Sequence, residues 1–139
     1  MSVDLDNLNE RMVRGGLPNL LGIRYVEASL DRLVAELEIR DELMTGGSRA
    51  HGGTLMAFAD TVGAVATVIN LQPDTWTTTL ESKTNFVSAG SGTLRAEATP
   101  IHKGRRTQVW QTRISDASGR LVSVTTQTQM VLDGPRPTS

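Results

Sequence analysis

Hydrophobic positions change period along this chain. Residues 4–14 place Leu5, Leu8 and Met12 at helical spacing, which predicts a short amphipathic helix. The segment Leu17-Pro18-Asn19-Leu20-Leu21-Gly22 then reads as a turn of helix or a loop. From Ile23 the period drops to two. Ile23, Tyr25 and Ala28 lead to a turn at 29–32, after which Leu33, Ala35, Leu37 and Ile39 alternate with Glu36, Glu38 and Arg40. That alternation predicts an antiparallel hairpin with one wet face. Residues 77–88 and 92–102 form two further β-rich runs, and 105–116 pairs with 120–132 through the turn at 116–119. Glycines at 90, 92, 104 and 119 fall where tight turns are required. At about 3.4 Å per residue these runs span roughly 35–40 Å, long enough to make a curved sheet that must cover something.

Residues 54–70, TLMAFADTVGAVATVIN, are what it covers. Leu55, Phe58, Ala59, Val62, Ala66 and Ile69 make one apolar stripe at i, i+3, i+4, i+7 spacing. The opposite face carries Ala57, Thr61, Ala64 and Thr67, with Asp60 the single charge in the segment. A helix apolar on nearly every side is expected to be buried on all sides. A membrane span is the rival reading, but the segment is short and holds Asp60 and Gly63. A central helix wrapped by one sheet is the expectation. One domain over residues 1–132 follows, with residues 1–20 as a helical extension and DGPRPTS at 133–139 as a disordered tail.

Composition adds exclusions. Fourteen Lys and Arg balance fifteen Asp and Glu, so a net charge of −1 argues against a nucleic-acid or membrane-surface role built on a basic field. With no cysteine there is no disulfide frame and no thiolate metal site, and the polar start MSVDLDNLNERM is not a secretory signal, so a cytoplasmic location is expected. Aromatic residues make up only 4% of the chain. A core that light invites completion by a partner chain.

Candidate chemistry lies just before the long helix, in Gly46-Gly47-Ser48-Arg49-Ala50-His51-Gly52-Gly53. Glycines let backbone approach a ligand closely, and the first amides of a helix lack intrahelical acceptors at the positive end of its dipole. A polarised carbonyl or a developing oxyanion suits that place. Asp60 has no cationic partner near it in sequence, so burial should raise its pKa; alone, it reads equally as a structural carboxylate bonded to a buried hydroxyl. It lies roughly 10 Å along the helix from Gly53, too far for both to act on one carbonyl within one chain. Two antiparallel helices from two chains would bring them together, which predicts a dimer with composite sites.

His51-Gly52-Gly53 followed by Phe58-Ala59-Asp60-Thr61, a small-residue helix and long strands resembles the PaaI-like hotdog-fold acyl-CoA thioesterases over nearly the whole chain. The resemblance implies an α+β hotdog fold, a long central helix wrapped by a curved antiparallel sheet of five to six strands. It also implies hydrolysis of an acyl-CoA thioester by a homodimer or a dimer of dimers, with no cofactor beyond the coenzyme A of the substrate. Carried over, Asp60 matches the carboxylate that attacks the thioester or activates water, and Gly53 the residue whose N–H polarises the carbonyl. His51 matches the histidine that shapes the loop, and Thr79 a hydroxyl that holds the attacking water. Thr45 stands where many relatives carry Asn or Gln, which puts the details of substrate activation in question.

Lys103, Arg105 and Arg106 flank Gly104 at a hairpin end and read either as a solvated basic turn or as contacts to CoA phosphates, which the resemblance favours. Met56, Phe58 and Phe86 are expected along the acyl pocket. His102 reads as a surface residue, and Trp76 and Trp110 as packing residues. Two histidines without an acidic cluster make no metal site, and G-x-S-x-G and G-K-[ST] motifs are absent. A non-catalytic acyl-CoA-binding or regulatory hotdog domain is the alternative. A hydratase fits less well, because such enzymes use an Asp–His pair at closer spacing than His51 and Asp60.

Overall fold

The computed structural model describes residues 2–138; Met1 and Ser139, the ends of the expected extension and tail, lie outside them. Two short helices, α1 (Leu5–Met12) and α2 (Gly16–Leu21), precede the strands β1 (Arg24–Ala28) and β2 (Leu33–Ile39). A 3-10 turn at Asp41–Leu43 and a two-residue ribbon, β3 (Met44–Thr45) with β4 (Arg49–Ala50), lead into α3 (Gly52–Ile69). Four long strands follow: β5 (Thr75–Phe86), β6 (Gly92–Lys103), β7 (Thr107–Ser115) and β8 (Leu121–Asp133). They form a six-stranded antiparallel sheet in the order β1-β2-β6-β7-β8-β5, and α3 packs across it.

Asp4 caps α1 by accepting from the Asn7 N–H at 3.1 Å, and α2 ends on Gly22 in the left-handed region (φ 82°). The orphan carbonyls of that end are taken by the Arg40 guanidinium, which donates to Leu21 O at 2.9 Å and also to Leu20 O. Asn9 treats β1 as a neighbouring strand would: its amide donates to Tyr25 O (2.9 Å) and accepts from Tyr25 N–H (2.8 Å). The β1 edge of the sheet is thereby covered, whereas β5 at the other edge pairs, among the described residues, only with β8.

Alternation works as expected in β2, where Leu33, Ala35, Leu37 and Ile39 are buried, and their partners Ala98, Ala96 and Leu94 on β6 face the helix beside them. Outside, Glu27, Arg24, Arg32, Glu36, Arg95 and Glu97 knit an ionic lattice over the wet face. Arg32 and Arg95 hold the Glu27 carboxyl below its ordinary value by hydrogen bonding. The β8 strand runs through Asp133, one residue into the segment expected as tail, and Gly134 then donates to Asp74 O at 2.9 Å.

The helix departs from expectation on one side. Leu55, Phe58, Ala59, Val62 and Ala66 are buried against the sheet, but Gly53, Met56, Ala57, Asp60 and Ala64 remain partly or largely exposed. One chain covers one face of α3 and leaves a stripe of small residues open.

Candidate active site

The start of α3 is held from three directions. Leu43 O accepts from His51 N–H (2.9 Å) and from the Thr54 hydroxyl (3.0 Å), while Ala50 N–H donates to Gly90 O (2.8 Å). His51 is the N-cap, with φ −64° and ψ 142°, and its Nδ1 accepts from the Gly53 N–H at 2.8 Å. A ring nitrogen that accepts carries no hydrogen, so in this neutral tautomer the proton sits on Nε2. The N–H of Gly53, expected to polarise the carbonyl, is thus engaged within the chain. The Gly52 N–H makes no hydrogen bond among the described residues. The reason is local: an N-cap side chain satisfies the second or third helical amide and leaves the first one open.

Beside that amide lies a cleft of about 320 Å³ lined by Thr45, Arg49, Gly52, Leu55, Phe86 and Val87, among others. Phe86 is 55% exposed there, and a Cβ added at Gly52 would sit 3.4 Å from its ring. Met56, 39% exposed, lies on the open stripe of α3. Phe58 does not join them. It is 0% exposed on the sheet-facing stripe, a core residue, because the helical period that places Asp60 on the open face turns position 58 away from it.

Asp60 is half-buried, two turns into α3. Burial pushes its carboxyl above the ordinary value, and the Thr79 hydroxyl, 3.5 Å from Oδ1, pulls the other way. Thr79 reaches the helix because β5 carries a bulge between Thr79 and Glu81, where Leu80 opposes no partner. Before the bulge Thr77 and Thr79 face α3; after it Ser82, Thr84 and Phe86 do. One chain brings Asp60 and Thr79 together but keeps Gly52 about 12 Å away along the helix axis.

Two residues absent from the sequence reading complete the surroundings. Gln127 and Gln129 on β8 are fully buried; Gln127 Nε2 lies 3.3 Å from both Asp60 Oδ1 and Asp60 O, and Gln129 Nε2 donates to Thr79 Oγ1 at 2.7 Å. Their signal in the sequence is a polar set in phase, Ser123, Thr125, Gln127 and Gln129, which alternates with Val124 and Met130 and reads at first as the outer face.

At the far end of α3, Lys103 Nζ pairs with Asp31 Oδ1 (2.5 Å) and donates to Asn70 Oδ1 (3.3 Å), so this lysine ties the hairpin to the helix end. Arg105 and Arg106 are exposed and make no ion pair among the described residues. Arg105 lines a cavity of about 510 Å³ with Asn70, Gln72, Gln108 and Asp133. His102 is exposed, and Trp110 is buried with its Nε1 donating to Gln108 Oε1 at 2.9 Å. No group of His, Cys, Asp or Glu that could hold a metal ion occurs among the described residues.

The profile of the thioesterase superfamily matches residues 47–123, which hold His51, both glycines, Asp60 and Thr79. The chain belongs to the thioesterase superfamily. This thioesterase is 31% identical over 131 residues to the 1,4-dihydroxy-2-naphthoyl-CoA hydrolase of Escherichia coli, covering 94% of this chain and 96% of the relative. The crystal structure of a thioesterase from Haemophilus influenzae superposes with a TM-score of 0.91 at 28% identity, over 100% of this chain and 97% of the other. The PaaI protein of Escherichia coli, at 20% identity and a TM-score of 0.81 over 94% and 98% of the two chains, shares the fold. The architecture of this thioesterase is therefore the hotdog: a long helix laid across a six-stranded antiparallel sheet.

Proposed function

We propose that this thioesterase hydrolyses acyl-CoA thioesters to the free acid and coenzyme A, with Asp60 as the reacting carboxylate and the Gly52 N–H polarising the thioester carbonyl. The observation that carries the reading is Asp60 itself: the only charge on α3, raised in pKa by burial and faced by a hydroxyl. In the water route Asp60 takes a proton as water attacks the carbonyl carbon. The oxyanion forms against the Gly52 amide, the C–S bond breaks, and the proton passes to the leaving thiolate. In the covalent route Asp60 attacks first and CoA thiolate leaves; water then cleaves the resulting anhydride, regenerating the Asp60 carboxylate and supplying the proton that the thiolate takes up. Incorporation of ¹⁸O from solvent into the Asp60 carboxylate during a single turnover identifies the covalent route with water attacking the aspartyl carbon. Arg105 and Arg106 are the groups suited to the CoA phosphates, and His51 holds the loop through Gly53.

The site is completed by a second copy of this chain, its α3 running antiparallel so that each Asp60 meets the partner's Gly52. The open stripe of α3 and the outer edge of β5, where Leu80 is exposed, support that arrangement. Complementation tests it. Gly52 is the first helical residue, where proline is accepted and lacks an N–H, and His51 already has the extended ψ of 142° that a following proline requires. Asp60→Asn and Gly52→Pro chains should each be inactive alone. Unfolded and refolded together, they should regain about a quarter of wild-type activity, because half the dimers then hold one intact site. Failure to complement from two folded variants rejects the composite site.

A further inference from the structure

The inner face of β8 carries two glutamines that the reaction scheme does not use. Gln127 lies opposite Trp110 on β7 and Ser82 on β5, and Gln129 opposite Gln108 and Thr79. Both are 0% exposed. Two buried primary amides on one strand need a reason, because each must find partners away from water.

The orientation of Gln127 follows from what surrounds it. Asp60 O is a carbonyl and only accepts, so the amide atom 3.3 Å from it is the nitrogen. That same nitrogen is 3.3 Å from Asp60 Oδ1, and its two hydrogens serve main chain and carboxylate of one residue. Oε1 has no partner. The side chain fits only because position 63 is glycine: a Cβ there would stand 2.1 Å from Oε1 and 2.4 Å from Cδ. Gln129 acts one step further out. Its Nε2 donates to Thr79 Oγ1 at 2.7 Å, which leaves the hydroxyl's one hydrogen to point at Asp60 Oδ1.

We propose that Gln127 and Gln129 are positioning residues that fix the Asp60 carboxylate from beneath, Gln127 directly and Gln129 through Thr79. The proposal rests on Asp60 being the reacting carboxylate. Donors to a carboxylate favour its ionised form, so the two amides keep a buried acid able to accept a proton, and they hold its second oxygen toward the open face of α3. No charge competes with them. The inward positions of β5, β7 and β8 around Asp60 are Thr77, Thr79, Ser82, Thr84, Gln108, Trp110, Thr112, Ile114, Ser123 and Thr125, while Glu81, Lys83 and Arg113 lie on the other side of the sheet. In the proposed dimer the charged and titratable groups of the chain nearest Gly52, His51 as its N-cap and Arg49 on the cleft wall, would face Asp60 from the other side.

Gln127→Met tests this, since it keeps the side-chain length and removes an acceptor that is already unpartnered. The fold should hold as well as before or better. Titration of the Asp60 carboxyl by ¹³C NMR, without substrate, should give a higher pKa than in wild type. With an acyl-CoA substrate, kcat should fall about tenfold at neutral pH with KM little changed, and the acid limb of the rate profile should move up in step. Gly63→Ala, which drives the amide away, should shift the titration the same way. Gly63→Ala combined with Gln127→Ala should relieve the collision and restore thermal stability but not the titration. Identical Asp60 titration in wild type and Gln127→Met overturns the proposal, whatever the activities. An Asp60→Asn chain that remains active, with the titration still shifted in Gln127→Met, would instead overturn the functional reading and leave Gln127 as a partner of a structural carboxylate.

Discussion

The two halves of the sheet lie under the same helix and do opposite things with the same alternation. Under one half, β2 and β6 present Leu33, Ala35, Leu37, Leu94, Ala96 and Ala98, none of which needs a hydrogen bond, and the one buried polar atom beside them without a partner among the described residues is the Tyr25 hydroxyl on β1. Under the other, β8 and β5 present Ser123, Thr125, Gln127, Gln129, Thr79, Ser82 and Thr84. Four buried polar atoms in this sector, Ser82 Oγ, Thr112 Oγ1, Ser123 Oγ and Gln127 Oε1, have no partner. Polar atoms buried without partners cost stability, so the apolar half carries the fold while the polar half holds the reacting group.

The sharpest way to break this division is Asp60→Asn. Turnover should fall by about 10²–10⁴-fold, measured as thiol release, because the group that moves the proton is gone. Stability should move the other way. The folded-state pKa of Asp60 is raised, so its ionised form is disfavoured in the folded chain, and that penalty is present above the raised pKa and vanishes as pH falls below the ordinary value. Thermal melts should show Asp60→Asn at least as stable as wild type at neutral pH, with the difference closing in acid. The same logic sets the direction of the rate profile: activity should fall as pH drops through the raised pKa.

Next in size is a pair of substitutions, one per half. Leu94→Ala should cost about 2–5 kcal/mol in denaturant unfolding, since it opens a cavity in a fully buried apolar layer. Thr112→Val, equally buried but stripped only of an unpartnered hydroxyl, should be neutral or stabilising. Equal losses from both would erase the distinction between the halves. The smaller of the effects on turnover belongs to Thr79→Val. Removing the hydroxyl that lowers the Asp60 pKa should raise the acid limb and reduce kcat about tenfold at neutral pH, and should cost about 1–3 kcal/mol of stability because the buried Gln129 amide loses its acceptor. An acid limb that moves down would contradict the assignment of that bond.

Much of the architecture could be read before any coordinates. The β2 alternation, the long strands, the turn glycines and the helix with one carboxylate each have a local cause, so each left a local mark. The same holds for the loop ahead of α3, though not for its detail. The sequence cannot say which of two adjacent glycine amides an N-cap histidine will take, and Gly53 rather than Gly52 turned out to be the one engaged. Phe58 is expected both on the apolar stripe and along the acyl pocket, and because positions 58 and 60 on a helix differ by about 200° it takes the first place and is fully buried. Gln127 and Gln129 went unread for a different reason. Their role depends on a register across three strands and on an empty space over Gly63, neither of which is written in any one segment.

Leu80 opposes no residue of β8, and that single extra position works as a phase shifter for the edge strand. On one side of it odd-numbered side chains look at the helix, on the other even-numbered ones do. Without it Thr79 and Thr84 could not both point inward. Shortening the strand there by one residue would turn either the hydroxyls near the carboxylate or the Phe86 ring at the cleft out to solvent. The chemistry of this edge thus depends on chain length as much as on side-chain identity. A deletion at position 80 should do what no point substitution there can do, and re-deal half of the strand at once.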